Sequence, residues 1–148
     1  MEMNYDALEV EWVTVLDQFT KLTAKHRVSA IPRPEFMLLH LIAKSKSGAV
    51  KISDLALELG VTVPAVSKLL KLLESKRAIG RVSDLTDRRI TYIALTGVGR
   101  QLYDNALQEM RTTGLSVMER VGEQEFRHFL EEAQRIYVAF EEVLSEEE

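Results

Sequence analysis

The lysines and arginines that could bind a phosphate backbone are concentrated between residues 51 and 95. This segment holds eight Lys/Arg against five Asp/Glu, a local charge of +3, whereas the rest of the chain sums to −7 and the whole chain to −4. Binding to a polyanion requires a local basic surface, and acidic residues elsewhere do not prevent docking. The segment therefore predicts a nucleic-acid-binding surface on an otherwise acidic protein.

Two short amphipathic helices joined by a tight turn would position these side chains. Their apolar positions recur at helical spacing: Ile52, Leu55, Ala56 and Leu59, and then Val66, Leu69, Leu70 and Leu73. We expect Ser53 to cap the first helix and Gly60 to end it with a positive φ. Thr62 is expected to cap the second helix, with Pro64 in its first turn. This pattern predicts a helix-turn-helix, preceded by a polar loop at residues 45–50.

The second helix carries a polar face opposite its apolar one. The residues on this face and its flanks are Pro64, Ala65, Ser67, Lys68, Lys71 and Ser75. Small side chains near the start of the helix would let its backbone approach the floor of a DNA groove, and the lysines further along could meet phosphates. An ordinary solvated face is the alternative that this pattern leaves open.

Two strand-like segments follow the second helix. Residues 79–83 and 90–95 are rich in β-branched side chains, and Val82, Ile93 and Leu95 are expected to face the core. With the loop between them they would form a β-hairpin. A helix-turn-helix followed by such a hairpin is a winged helix, a shape that reads double-stranded DNA.

The tip of this hairpin is charged, with Asp84, Asp87, Arg88 and Arg89 in its loop. An arginine at such a tip can enter a narrow minor groove, where the negative potential is enhanced. Asp87 could hold the guanidinium of Arg89 by a bidentate contact. A solvated tip with a charge pair is the alternative, and the adjacent helix-turn-helix favours the DNA-binding interpretation.

Short segments across the middle of the chain follow an order and spacing that one protein family uses. They are Leu55-Ala56, Leu59-Gly60-Val61, Val66-Ser67-Lys68-Leu69-Leu70, Leu73-Glu74, Arg81-Val82, Asp84-x-x-Asp87-x-Arg89 and Leu95-Thr96-x-x-Gly99. In these segments the chain resembles the MarR family of bacterial transcription regulators. The family usually has a glycine where Arg77 stands. Arg77 must therefore take a left-handed conformation or end the helix differently.

The resemblance implies a mainly α fold with a small β-wing. A winged helix-turn-helix at residues 31–96 would be flanked by a helical dimerisation region at residues 1–30 and 97–148, in one compact chain. The implied function is a sequence-specific DNA-binding regulator, a dimeric repressor released by a small, often aromatic ligand. The residues expected to contact DNA are Ser53, Pro64, Ala65, Ser67, Lys68, Lys71, Arg81, Asp87, Arg88 and Arg89. The alternative is a winged-helix protein-interaction module without specific DNA binding.

Long amphipathic helices are predicted in both flanks, because apolar residues recur at helical spacing over residues 5–22, 102–117 and 126–144. A helix of about 20 residues spans roughly 30 Å, so these apolar stripes extend beyond a small winged domain. We expect them to form a two-fold dimer through Leu8, Trp12, Leu16, Phe129, Ile136 and Phe140. The operator would then be a palindrome with half-sites about 34 Å apart. Packing of these helices on their own monomer is the alternative.

Residue types indicate a candidate effector site but no metal site. In the MarR family, aromatic compounds often bind between the dimerisation helices and the winged region. The positions that would line such a crevice are Phe19, His26, Phe36, His40 and Tyr103, although aromatic residues at helical spacing more often belong to a core. The three histidines, His26, His40 and His128, are far apart and lack an acidic cluster. We expect no metal and no cofactor.

Other protein classes find little support in the composition. The chain has no cysteine, so a disulfide scaffold, a thiolate zinc site and a thiol-based sensor are excluded. We expect no signal peptide, and the sequence contains no apolar run of membrane-spanning length, no glycine-rich phosphate loop and no catalytic motif. We expect a cytoplasmic protein that is not an enzyme and does not enter a membrane.

Overall fold

The computed structural model describes residues 5–25, 29–84, 86–87 and 90–146. In chain order the elements are α1 (Tyr5–Lys25), α2 (Arg33–Lys44), β1 (Ala49–Lys51), α3 (Ile52–Leu59), α4 (Val63–Ser75), β2 (Ile79–Ser83), β3 (Thr91–Leu95), α5 (Gly97–Val121) and α6 (Glu123–Glu146). The predicted fold class, mainly α with a small sheet in a winged helix-turn-helix, is confirmed. None of the described helices combines the length and apolarity needed to cross a membrane.

The chain divides into two compact units, Met1–Glu109 and Met110–Glu148, and α5 runs through both. The core of the first unit is formed by α2, α3, α4, the sheet and the start of α5. Its largest fully buried side chains are Leu38, Leu39, Ile42, Leu55, Val66, Leu70, Leu73 and Ile93. Burying each of them stabilises the fold by about 1.5–3 kcal/mol. This core fixes α3, α4 and the hairpin relative to one another.

The sheet contains a strand that the sequence analysis missed. Its order is β1-β3-β2, with both pairs antiparallel. Residues 49 and 50, expected to lie in a polar loop, pair with Ala94 and Ile93 of β3. Three residues are too short for an alternating pattern to be recognised, and this pairing depends on a strand more than 40 positions away.

The hairpin strands lie close to their predicted positions, but one side chain faces the other way. Ile79 and Ile93 are buried, and Leu95 packs against the core. Val82, expected in the core, is 52% exposed. Successive side chains of a strand alternate between faces, so Val82, three positions after Ile79, must lie on the opposite face.

The helix-turn-helix confirms two predicted end signals and corrects one. Gly60 adopts a left-handed conformation with φ of 62°. The Thr62 hydroxyl oxygen accepts a hydrogen bond from the Ala65 N–H at 3.4 Å. Ser53, however, does not cap α3. The helix begins at Ile52 directly after β1, with Lys51 at the cap position, and Ser53 therefore lies inside the first turn, where it donates to the Asp54 carboxylate at 3.2 Å.

Candidate nucleic-acid interface

Helix α4 is anchored on one side and open on the other. Val66, Leu70 and Leu73 are fully buried in the core. Four of the predicted DNA contacts on this helix, Pro64, Ala65, Lys68 and Lys71, are exposed, and Ser67 is half-buried. A helix rotates by about 100° per residue, which places Pro64, Lys68 and Lys71 opposite the buried stripe. The structure therefore presents small and cationic side chains on an accessible helix face.

The backbone conformation of Arg77 shows how α4 ends. Arg77 has a positive φ of 56°, so it takes the left-handed conformation. Its N–H donates to the Glu74 carbonyl at 2.8 Å, and its carbonyl accepts from the Thr96 hydroxyl at 2.6 Å. The chain thus turns sharply from α4 into the hairpin, and a residue at the start of α5 holds the turn.

An ion pair between a buried glutamate and a partly exposed lysine, not predicted from the sequence, secures the same end of α4. Glu35, in the first turn of α2, is only 3% exposed. Its carboxylate accepts from the Lys76 ammonium at 2.5 Å. Lys76 is the C-cap residue of α4, so the pair ties the end of α4 to the start of α2. The two residues lie 41 positions apart, and a glutamate near a helix start ordinarily indicates an exposed position.

A second ion pair connects α4 to the hairpin. The Arg81 guanidinium donates to both carboxylate oxygens of Glu74, from Nε at 2.5 Å and from Nη2 at 3.5 Å. The hydrogen bond that the guanidinium donates to the Glu74 carboxylate raises the pKa of Arg81. Arg81, a predicted DNA contact, therefore has a fixed position, and the acidic residue that fixes it belongs to α4.

The start of the hairpin loop is organised by Asp84. One of its carboxylate oxygens accepts from the Thr86 hydroxyl at 2.6 Å, the Thr86 N–H at 2.8 Å and the Asp87 N–H at 2.9 Å. These hydrogen bonds, with that from the Thr86 hydroxyl the largest influence, lower the pKa of Asp84 to about 2. Arg88 and Arg89 lie outside the described residues, so the predicted contact between Asp87 and Arg89 stays a prediction.

Two predicted DNA contacts from separate elements, Ser53 of α3 and Arg81 of β2, line one groove beside the hairpin. The residues lining this wing-base groove are Lys51, Ile52, Ser53, Arg81, Ile90 and Thr91. Lys51 was not among the predicted DNA contacts, because the strand that it ends was not recognised.

Three of the five predicted effector residues come together in the first unit. The rings of Phe36 and His40 lie 5.8 Å apart between centroids, and those of Phe36 and Tyr103 lie 5.6 Å apart. The His40 Nδ1 and the Tyr103 hydroxyl are hydrogen-bonded at 3.0 Å. Burial, followed by the charge of Lys44, lowers the pKa of His40. Phe19 is an exposed residue of α1, and His26 lies outside the described residues.

The predicted dimerisation residues are exposed on their helices. On α1 these are Leu8, Trp12 and Leu16, and on α6 they are Phe129, Ile136 and Phe140. None of the described residues of α6 is buried. Helical geometry places Phe129, Ile136 and Phe140 within about 40° of one another around the α6 axis. Each helix thus presents an apolar face to its surroundings.

No metal site is found among the residues that the structure describes, because they include no group of three His, Cys, Asp or Glu side chains that could hold an ion. His26 is outside that set, so the expectation that the chain binds no metal stays a prediction.

Known proteins are similar to this chain in sequence. Residues 31–90 match the MarR family. The HTH-type transcriptional regulator YxaD of Bacillus subtilis (strain 168) is 25% identical over 136 residues, which cover 91% of this chain and 94% of YxaD.

Solved structures share the fold along nearly the whole chain. The structure of Streptococcus pneumoniae FabT in complex with DNA matches with a TM-score of 0.68 at 21% identity, covering 95% of this chain and 99% of that one. The PcaV transcriptional regulator of Streptomyces coelicolor, in complex with its natural ligand, matches with a TM-score of 0.67 at 14% identity, covering 94% and 98%. YxaD and PcaV are transcriptional regulators, and within the winged region of this chain residues 31–90 match the MarR family.

Proposed function

We propose that this MarR-family chain is a homodimeric repressor that binds a palindromic DNA operator and leaves it when a small ligand binds. The observation that carries the proposal is the exposed face of α4. Three buried side chains hold the helix on the core, while Pro64, Lys68 and Lys71 stay accessible. A rigid helix with an open cationic face is what insertion into a major groove requires.

The order of side chains along α4 suggests how it reads DNA. Pro64 and Ala65 at its start are short, so the helix can enter deeply and contact thymine methyl groups. Lys68 and Lys71 follow, where they reach guanine edges or phosphates. The ion pair of Glu74 with Arg81 connects this helix to the hairpin, so that wing and helix meet the duplex in a fixed relation.

Dimerisation is proposed from the apolar faces of the flanking helices. Leaving a Phe, Leu or Ile side chain in water forgoes about 1.5–3 kcal/mol of burial, and contiguous exposed apolar surface marks an interface. We propose that residues 1–30 and 97–148 form the dimerisation region around a winged region at 31–96. A two-fold dimer presents its two α4 helices to half-sites about 34 Å apart.

The proposed effector site is the aromatic cluster of Phe36, His40 and Tyr103. It joins α2 to α5 within the first unit. A ligand that parts these rings would shift α2, and with it the end of α4 that Glu35 holds through Lys76. Because such a regulator acts on the chromosome, we place it in the cytoplasm.

In vitro selection from random duplex DNA at near-physiological salt tests the proposed function. We expect enrichment of an inverted repeat with half-sites about one helical turn apart, and release of the bound duplex by phenol or benzoate as aromatic probes. Enrichment of no sequence would favour the interaction-module alternative. A bound repeat that neither probe releases would contradict aromatic control by these compounds.

A matched pair of α6 variants tests the dimer. Phe140→Asp places a charge on the apolar face of α6, and Val138→Asp places the same charge two residues away, on the other side of the helix. The two side chains are similarly exposed, at 49% and 42%. In analytical ultracentrifugation we expect only Phe140→Asp to shift the protein towards monomer and to weaken operator binding. A dimeric Phe140→Asp protein would refute this placement of the interface.

A further inference from the structure

The wing-base groove carries an inference that rests on the proposed DNA binding. It has a volume of about 350 Å³ and is open to solvent between the start of α3 and the hairpin. Two of its six lining residues, Lys51 and Arg81, are cations, and two, Ser53 and Thr91, carry hydroxyl groups. We propose that the wing-base groove binds one phosphate of the DNA backbone, and that Lys51 is its principal ligand.

Lys51 is positioned without being neutralised. It is the last residue of β1 and pairs with Tyr92 of β3. Its ammonium lies 5.8 Å from the centroid of the Tyr92 ring, within the range of a cation–π contact. An aromatic ring attracts the ammonium but carries no net charge. The ring therefore restrains the lysine side chain without bringing an opposing charge to its ammonium.

Arg81 retains donors for a ligand although it is ion-paired. A guanidinium has five N–H donors, and Glu74 accepts from the Nε and Nη2 of Arg81 only. The remaining N–H groups can bind a phosphate oxygen. The pair also reduces the freedom that the arginine would otherwise lose on binding DNA.

The start of α3 adds hydrogen-bond donors to the groove and one negative charge that opposes a phosphate. The side chain of Lys51 makes no capping hydrogen bond at the start of α3, so N–H groups of the first helical turn remain as donors. The Ser53 hydroxyl now donates to the Asp54 carboxylate, and it would have to rotate to reach a phosphate. Asp54 opposes an anion, but it is exposed to solvent, which screens its charge.

A phosphate in this groove would fix the register of α4 on the duplex. Contacts with the backbone position a protein without reading sequence. Each neutralised phosphate contributes about 0.9 to the slope of log K against log salt, which corresponds to about fivefold in affinity at 0.15 M salt. In a dimer the groove occurs twice, so losing Lys51 should lower the slope by about 1.8 and the affinity by about thirtyfold.

The test compares Lys51→Gln with Lys46→Gln, which removes an exposed lysine of the α2–β1 connection that does not line the groove. Lys51→Arg restores the charge. The salt dependence of binding is measured for each protein on the selected operator and on a random duplex of equal length. We expect the reduced slope in Lys51→Gln alone, with recovery in Lys51→Arg. Thermal unfolding and sedimentation check that each variant is folded and dimeric.

The outcomes separate this inference from the proposed function. A reduced slope for Lys51→Gln on either duplex supports the phosphate site. Equal slopes for Lys51→Gln and Lys46→Gln overturn it, while DNA binding by the wild type stands. A wild type that binds neither duplex at low salt overturns the proposed function and the phosphate site together.

Discussion

Replacing Arg77 with glycine should stabilise this protein. Arg77 is the one described non-glycine residue with positive φ, at 56°. Its recorded hydrogen bonds use only its N–H and its carbonyl, which bond to Glu74 and Thr96. A glycine can keep both bonds in the same conformation. Arg77→Gly therefore removes backbone strain without removing a structural contact of the side chain.

The size of the effect follows from two opposing terms. A left-handed conformation costs an L-residue about 1–2 kcal/mol, and glycine does not bear this cost. Glycine has greater conformational freedom in the unfolded chain, which reduces this stabilisation by about 0.4–1 kcal/mol. The net gain is about 1 kcal/mol. For 148 residues, with about 2.1 cal/mol/K of unfolding entropy per residue, this raises Tm by about 3 °C.

Arg77→Ala is the matched control, because it removes the same side chain and keeps the strain. Urea and thermal unfolding at equal protein concentration should place Arg77→Gly about 1 kcal/mol above Arg77→Ala, with Arg77→Ala within about 0.5 kcal/mol of the wild type. Both variants lose the same charge, so their DNA affinities should fall equally. If the glycine variant is no more stable than the alanine variant, the left-handed turn at the end of α4 is not strained.

Two further predictions concern acidic residues. Lys76→Met should lower the free energy of unfolding, measured in urea, by about 1–3 kcal/mol more than Glu35→Gln does. Lys76→Met leaves the buried Glu35 carboxylate unpaired, whereas in Glu35→Gln the Lys76 side chain, which is 40% exposed, can be solvated by water. The folded-state pKa of Asp84, about 2, lies below its ordinary 3.8, so its contribution to stability is present above pH 3.8 and is lost as the pH falls towards 2. The stability difference between wild type and Asp84→Ala should shrink over that window, and a difference independent of pH would contradict the hydrogen bonding of Asp84.

The features that the sequence predicted well are set by neighbouring residues. The left-handed Gly60, the Thr62 cap and the β2 strand each depend on fewer than about six consecutive positions. Backbone conformational preference and capping chemistry act over that range, so the pattern of residue types is sufficient. The existence of α1, α5 and α6 was predicted from the helical spacing of their apolar residues.

The features that the sequence analysis missed depend on contacts between distant positions. β1 exists because β3 pairs with it, and Glu35 is buried because Lys76 reaches it. Ser53 was expected to cap α3 only because β1 was not recognised, which moved the predicted helix start by two residues. Local patterns cannot show which charged residue will contact which partner. The wing-base groove and the role of Lys51 in it were therefore not predicted.

The ion pair between Glu74 and Arg81 changes how the net charge of residues 51–95 should be interpreted. Counting residues treats Glu74 as one negative charge against DNA binding. In the structure Glu74 holds Arg81 by two hydrogen bonds and leaves its other donors available. An unpaired arginine at that position would add charge but would lose more side-chain freedom on meeting a phosphate. Glu74 thus supports DNA binding by the basic segment, because it fixes where the positive charge of Arg81 is presented.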